Sequence, residues 1–166
     1  QAGARVCLLD RASAPQAEAV IPARALLLGN IDLTQAEATN LALQRVADEF
    51  GGIDALVNVA GGFQWQTVEG NDFDAWERMY TMNLKTAVLA TRAALPYLRA
   101  SSQGRIVNVG AMAALSAAAG MGAYAAAKAG VLKLTEALAA ELADAGINVN
   151  AVLPSIIDTP QNRRDM

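Results

Sequence analysis

The feature that most constrains this 166-residue chain is an alternation along its length. Compact apolar runs, too short for helices and without a polar residue at every second place, are separated by longer stretches of helical periodicity. Residues 4–9 lead to Asp10, residues 25–28 towards Asp32, and residues 53–59 into Ala60, Gly61 and Gly62. Residues 105–109 lead into Gly110, and residues 147–153 stop at Pro154. Each run reads as a strand buried on both faces. Between them, Ala38, Leu41, Ala42, Val46 and Phe50 recur at helical spacing, with Thr34 and Glu37 reading as a capping box and Gly51 and Gly52 as the stop. A longer helical pattern covers residues 72–98, with Pro96 in its last turn, and another covers residues 122–143 and ends by Gly146. Strands alternating with helices predict an α/β, doubly wound, Rossmann-like parallel sheet. No repeat, linker or shift of composition divides residues 1–166 into more than one domain.

In such sheets ligands bind at the carboxyl ends of the strands, where this chain places Asp10, Asp32, residues 58–62, residues 110–112 and residues 154–159. The chain has no histidine, which removes imidazole bases and His-based triads and leaves Tyr, Lys, Asp or Glu for proton chemistry. A lone Cys7 makes neither an internal disulfide nor a metal cluster, so no metal and a cytoplasmic, reducing location are expected. The net charge of −3, with no stripe of Lys or Arg, argues against nucleic acid as a partner. Residues 106–127 carry no charge over a length that could span a bilayer. They are mostly Ala and Gly and contain Asn108 and Ser116, so no membrane span is expected, and no signal peptide is read at residues 1–10.

Tyr124 and Lys128 stand one helical turn apart, so their side chains leave the same face. A free phenol, with a pKa of about 10, is a poor acid or base at neutral pH, and a fixed ammonium beside it favours the phenolate. Taken alone, the spacing equally describes an amphipathic helix with a half-buried Tyr and a solvated Lys. The pair has company, however: Asn58-Val59-Ala60-Gly61 after a strand, Met82-Asn83-Leu84 in the long helix, residues 104–110 as Gly-Arg-Ile-Val-Asn-Val-Gly, and Tyr124-Ala125-Ala126-Ala127-Lys128. In order and spacing these four motifs resemble the short-chain dehydrogenase/reductase family, over nearly the whole chain.

The resemblance implies an oxidoreductase that transfers a hydride between NAD(P)(H) and a carbonyl or related C=N or quinonoid carbon of a small-molecule substrate. It makes Tyr124 the proton donor and acceptor, Lys128 the group that tunes Tyr124 and holds the nicotinamide ribose, and Asn83 the anchor of a water leading to Lys128. Asp10 matches the residue that takes the adenosine ribose hydroxyls and selects NAD, although the adjacent Arg11 leaves NADP open. Asp32 and Leu33 match the adenine pocket; for Asp32 the plain alternative is a turn at a strand end. Asn58, Ala60 and Gly61 match the turn along the cofactor, and Pro154, Ile157 and Thr159 match the stretch that meets the nicotinamide carboxamide and phosphates. A homodimer or homotetramer is implied as well, and Ala87, Ala90, Ala94, Ala126 and Ala137 give the two long helices small faces for it.

The chain departs from the family pattern at several places. Thirteen residues before Tyr124, where the family has a serine, stands Ala111. Loss of such a donor costs on the order of 10²- to 10³-fold in rate, so a nucleotide-binding pseudoenzyme is the alternative function. Residues 110–115, 120–121 and 59–63 are locally similar to dihydropteridine reductase, a family member that also has alanine there. Val59 replaces a second Asn, and Ser155 a Gly. The first strand with its glycine-rich loop, about 30 residues of a βα unit, and the C-terminal end are expected in a longer polypeptide. Without that central strand, the strands at residues 4–9 and 53–59 should show unpaired edges. An unrelated flavodoxin-like binding domain is a third reading, and the four motifs disfavour it.

Overall fold

A computed structural model describes residues 3–13, 25–70, 73–158 and 163. Five strands and four α-helices follow in order: β1 Cys7–Leu9, β2 Leu26–Leu28, α1 Ala36–Phe50, β3 Ala55–Asn58, α2 Asp74–Tyr80, α3 Thr86–Ala100, β4 Arg105–Val109, α4 Gly122–Glu141 and β5 Asn148–Val152. All pairing is parallel, as an α/β doubly wound chain requires. β1 pairs with β2 (Cys7 opposite Leu26), and β3–β4–β5 form a second sheet with Asn58 opposite Asn108 and Val109 opposite Val152. The strands are shorter than the apolar runs that announced them, except β4, which matches residues 105–109. The uncharged stretch 106–127 divides between β4, a short turn and the start of α4, and no described helix is long and apolar enough to cross a membrane.

One core joins the two sheets to the helices. Leu28 from β2, Leu43 and Val46 from α1, Leu98 from α3, Ile106 from β4 and Val149 from β5 bury together, with Leu138 of α4 over the far end. Burial of this apolar surface, at roughly 25 cal/mol per Å², is what holds helices to sheet. The strands nevertheless alternate. Ile106 and Val149 face the helices and are buried, whereas Leu8, Val57 and Val152 point away and are exposed. The expected gap is also present: among the described residues β1 pairs only with β2 and β3 only with β4. A slot of about 610 Å³ lies between their free edges, lined by Val6, Leu8, Leu33, Val57, Val59 and Ala60.

Three expectations are corrected. The capping box at Thr34 does not form. The helix begins after Gln35 without a side-chain cap, because the Thr34 hydroxyl donates instead to Asp32 Oδ1 at 2.7 Å. The long helix is not continuous. A π-helical turn, Thr81–Lys85, separates α2 from α3, and Asn83 is buried at its centre. Finally, Ala87, Ala90 and Ala94 are buried within the chain, so they do not form a small-residue face for a second copy; Ala126 and Ala137 remain exposed.

A polar network crosses the core beneath the carboxyl ends of the strands. Asn58 Nδ2 donates to Asn108 Oδ1 at 2.8 Å and to Thr91 Oγ1 at 3.1 Å, and Asn108 Nδ2 donates to Thr135 Oγ1 at 2.8 Å. Asn108 is fully buried, so its amide is satisfied only through these partners. Replacing it (Asn108→Ala) strands Asn58 and Thr135 groups in the core. The variant is expected to lose about 1–3 kcal/mol, read as a lower midpoint in urea unfolding.

Candidate active site

Tyr124 and Lys128 lie in the first half of α4, which packs on β4, β5 and the π turn. One turn of helix puts both side chains toward the strand ends. Lys128 is 5% exposed, and its Nζ donates to the carbonyl of Val109, the last residue of β4, at 2.8 Å. The same Nζ lies 6.0 Å from the centre of the Tyr124 ring. An ammonium has three donors, and the other two meet no acceptor among the described residues. Tyr124 is half-buried, and Phe63, from the loop after β3, meets its ring edge-on with centroids 5.1 Å apart and planes at 86°.

Burial pushes the Tyr124 phenol up from its ordinary value and the Lys128 ammonium down. A lowering of the Tyr124 pKa by Lys128 is therefore not the net effect here. The ammonium is bonded to a carbonyl at the strand end, and withdrawal from water dominates both groups.

Asn83 is held by both its side-chain amide atoms. Its Nδ2 donates to the carbonyls of Gly62 at 2.9 Å and Met79 at 3.1 Å, and its Oδ1 accepts from the Gly62 amide at 3.1 Å. The side chain thus clamps the loop after β3 to the π turn and makes no bond to Lys128. Gly61 fills the space between them. A Cβ there would stand 2.5 Å from Asn83 Oδ1 and 3.5 Å from Lys128 Nζ, so these two side chains leave room for bare backbone alone.

The rim at the ends of β1 and β2 is built from two tied loops. Asp10 is exposed at the end of β1, its Oδ1 accepting from the Ala12 amide at 2.7 Å, while the Ile31 amide donates to the Asp10 carbonyl and the Asn30 amide to that of Ala12. Asn30 takes a left-handed φ of 59° to make this crossing. Asp32 follows as the plain alternative had it: its Oδ1 accepts from the Thr34 amide and hydroxyl, and these bonds lower its pKa. Leu33 and Ala60 line the slot between β1 and β3, as does Asn58, whose side-chain amide is committed to Thr91 and Asn108 in the core. The Pro154 carbonyl accepts from the Met112 amide at 3.0 Å, tying the chain after β5 to the turn after β4. Ile157 is exposed, and Thr159 falls outside the described residues. Ala111 is buried at the entrance of a short turn, Met112–Ala114, and offers no hydroxyl.

Phe63 is a site residue that the sequence reading missed. The available signal was compositional: in a chain with 5% aromatics, Phe63 follows directly on Gly61-Gly62 and Trp65 comes two residues later.

The short chain dehydrogenase family model matches residues 1–165. The chain is 35% identical to a 3-oxoacyl-(acyl-carrier-protein) reductase of Vibrio cholerae, over 80% of this chain and 54% of that protein. It is 36% identical to a Xanthobacter autotrophicus protein named inactive 2-(S)-hydroxypropyl-CoM dehydrogenase 2, over 100% of this chain and 73% of that one. Among solved structures it is similar to an NADPH-bound short chain oxidoreductase from Pseudomonas aeruginosa described as containing an atypical catalytic center. There the TM-score is 0.91 at 27% identity, covering 98% of this chain and 65% of that one. Against several curated relatives the chain spans about half of their length, 54% and 50% in two cases. A family match that runs almost from end to end, supported by relatives above 30% identity, means that the chain belongs to the short-chain dehydrogenase/reductase family.

Proposed function

We propose that the protein is an oxidoreductase that moves a hydride between NAD(P)(H) and a carbonyl, C=N or quinonoid carbon. The observation that carries this reading is Lys128: a buried ammonium with two donors unassigned, beside the Gly61 backbone and one turn from Tyr124. Those donors suit the hydroxyls of a nicotinamide ribose. Asp10 supports the adenosine ribose end, with NAD as the cofactor and NADP as the second candidate because of Arg11. The nicotinamide, when bound, supplies or accepts the hydride.

The chain's own residues handle the proton. A phenol whose pKa is raised by burial is protonated at neutral pH, so Tyr124 is loaded to donate to a substrate oxygen as it gains negative charge. Ribose hydroxyls on Lys128 would place its charge near that phenol and ease loss of the proton. Asn83, with the backbone of Gly62 in its grip, keeps the loop facing this pair, and Asn83 as the anchor of a relay water remains part of the proposal. Assembly as a homodimer or homotetramer is also proposed, with Ala126 and Ala137 as exposed small positions on α4.

A second reading, a nucleotide-binding pseudoenzyme, is favoured by Ala111 and by the relative named inactive. The two readings separate on one substitution. Ala111→Ser restores a hydroxyl beside the reacting oxygen; in an enzyme slowed by its absence, kcat should rise by about 10²-fold, measured as NADH and NADPH oxidation over carbonyl and quinonoid substrates. No turnover in either protein, with nucleotide binding intact, selects the pseudoenzyme.

Tyr124→Phe is expected to abolish turnover while cofactor binding, followed by quenching of tryptophan fluorescence, stays at wild-type strength. Lys128→Met should also remove turnover, yet raise stability at neutral pH by about 1 kcal/mol, roughly 2–4 °C in Tm, because the buried ammonium is gone. The sign follows from its depressed pKa. Between that value and the ordinary lysine value, the unfolded chain binds more protons than the native one, so wild-type stability rises with pH through this window. Lys128→Met lacks that rise, and the difference in Tm should shrink above the window.

A further inference from the structure

The loop that follows β3 is fastened to the turn ahead of α4 by contacts that the proposed chemistry does not use. Trp65 Nε1 donates to the Ala119 carbonyl at 3.0 Å, and the Gln66 amide donates to the Gly120 carbonyl at 2.8 Å. The indole rests against Gly120 so closely that a Cβ built there would stand 2.2 Å from both Cε2 and Nε1 of the ring. Gly120 also holds a φ of 77°, which disfavours a side chain for a separate reason. Two residues further, Gly122 opens α4 with Trp76 3.7 Å and Val68 4.0 Å from where its Cβ would be. Tyr124 comes two residues after Gly122, and Phe63, two residues before Trp65, is the ring that meets it edge-on.

Trp65 is 60% exposed, so burial alone gives little reason for an indole at this place. Its bonds are accounted for by what they hold. A phenol turns about two side-chain torsions, and a ring fixed on one side by Phe63 has fewer orientations open to it.

We infer that Trp65, seated on Gly120, is a positioning residue for Tyr124, holding Phe63 against the phenol ring so that the hydroxyl addresses the substrate oxygen in one orientation. The inference rests on the assignment of Tyr124 as the proton donor and extends it to Trp65 and Phe63. Phe63 also shields the phenol from water, in keeping with the direction in which burial moves its pKa. Misplacement of a reacting group by about 1 Å costs up to about 10²-fold in rate, which sets the scale of the effect.

The test uses the full-length protein with Trp65→Ala, Trp65→Phe and Gly120→Ala. Gly120→Ala keeps the indole but pushes it off its seat, and Trp65→Phe keeps a ring there without the bond to Ala119. Trp65→Ala and Gly120→Ala are expected to lower kcat by about tenfold to 10²-fold with the KM for the nicotinamide cofactor within about twofold of wild type, while Trp65→Phe recovers most of the loss. A second readout needs no turnover. The titration of Tyr124, taken as the phenolate absorbance that each variant loses when Tyr124→Phe is added, should move down towards ordinary tyrosine in Trp65→Ala and Gly120→Ala. If neither of those variants folds, as judged by circular dichroism, Phe63→Leu carries the test and should produce the same movement. A Tyr124 titration and kcat at wild-type values in these variants, alongside a dead Tyr124→Phe, overturns the positioning role and leaves the proposed reaction standing. Turnover that survives Tyr124→Phe overturns the reaction itself.

Discussion

The ammonium of Lys128 is buried at the end of β4, with the Val109 carbonyl as its acceptor. A charge withdrawn from water with most of its donors unassigned is costly, and the cost is visible in the depressed pKa. The surrounding arrangement answers to that one placement. Gly61 must present bare backbone because the Lys128 ammonium and the Asn83 amide occupy the space a side chain would need. Tyr124, one turn back along α4, is drawn into the same half-buried volume and keeps its proton for the same reason, withdrawal from solvent.

The π turn is the second consequence. For the Asn83 amide to reach the Gly62 backbone, the helix that carries it must depart from regular pitch, and its Nδ2 bonds the Met79 carbonyl one turn earlier. A widened turn with a buried amide at its centre is a local irregularity of the kind found at functional sites. Helical propensity already disfavours Asn in a helix interior, and the structure shows which partner compensates. The loop after β3 is thereby held twice, by Asn83 at its start and by Trp65 on Gly120 further along.

Beneath the rim, the Asn58–Asn108–Thr135 bonds join neighbouring strands to α3 and α4 where an apolar core would leave the strand ends less specified. This explains why Asn58 reads ambiguously. It stands in a motif that resembles a cofactor-binding turn, yet its amide faces the helices, and only Ala60 and Gly61 after it have turned towards the rim. Between β1 and β3, apolar side chains line two parallel edges within one common core.

The sequence by itself determined the class of the fold and the placement of Tyr124 and Lys128 on one helix face. Short apolar runs and helical periodicity are local properties, and Tyr124 and Lys128 share a face because α-helical pitch puts them there. The absence of histidine narrowed the proton chemistry before any contact was known. Only tertiary structure decided that the Thr34 hydroxyl turns to Asp32 rather than capping α1, that Asn83 grips Gly62, and that Ala87, Ala90 and Ala94 face inward. It also decided that Phe63 stands against Tyr124 and that burial pushes the phenol's pKa up. Each of these depends on how residues tens of positions apart are brought together when helices pack on the sheet, and no periodicity along the chain encodes that distance.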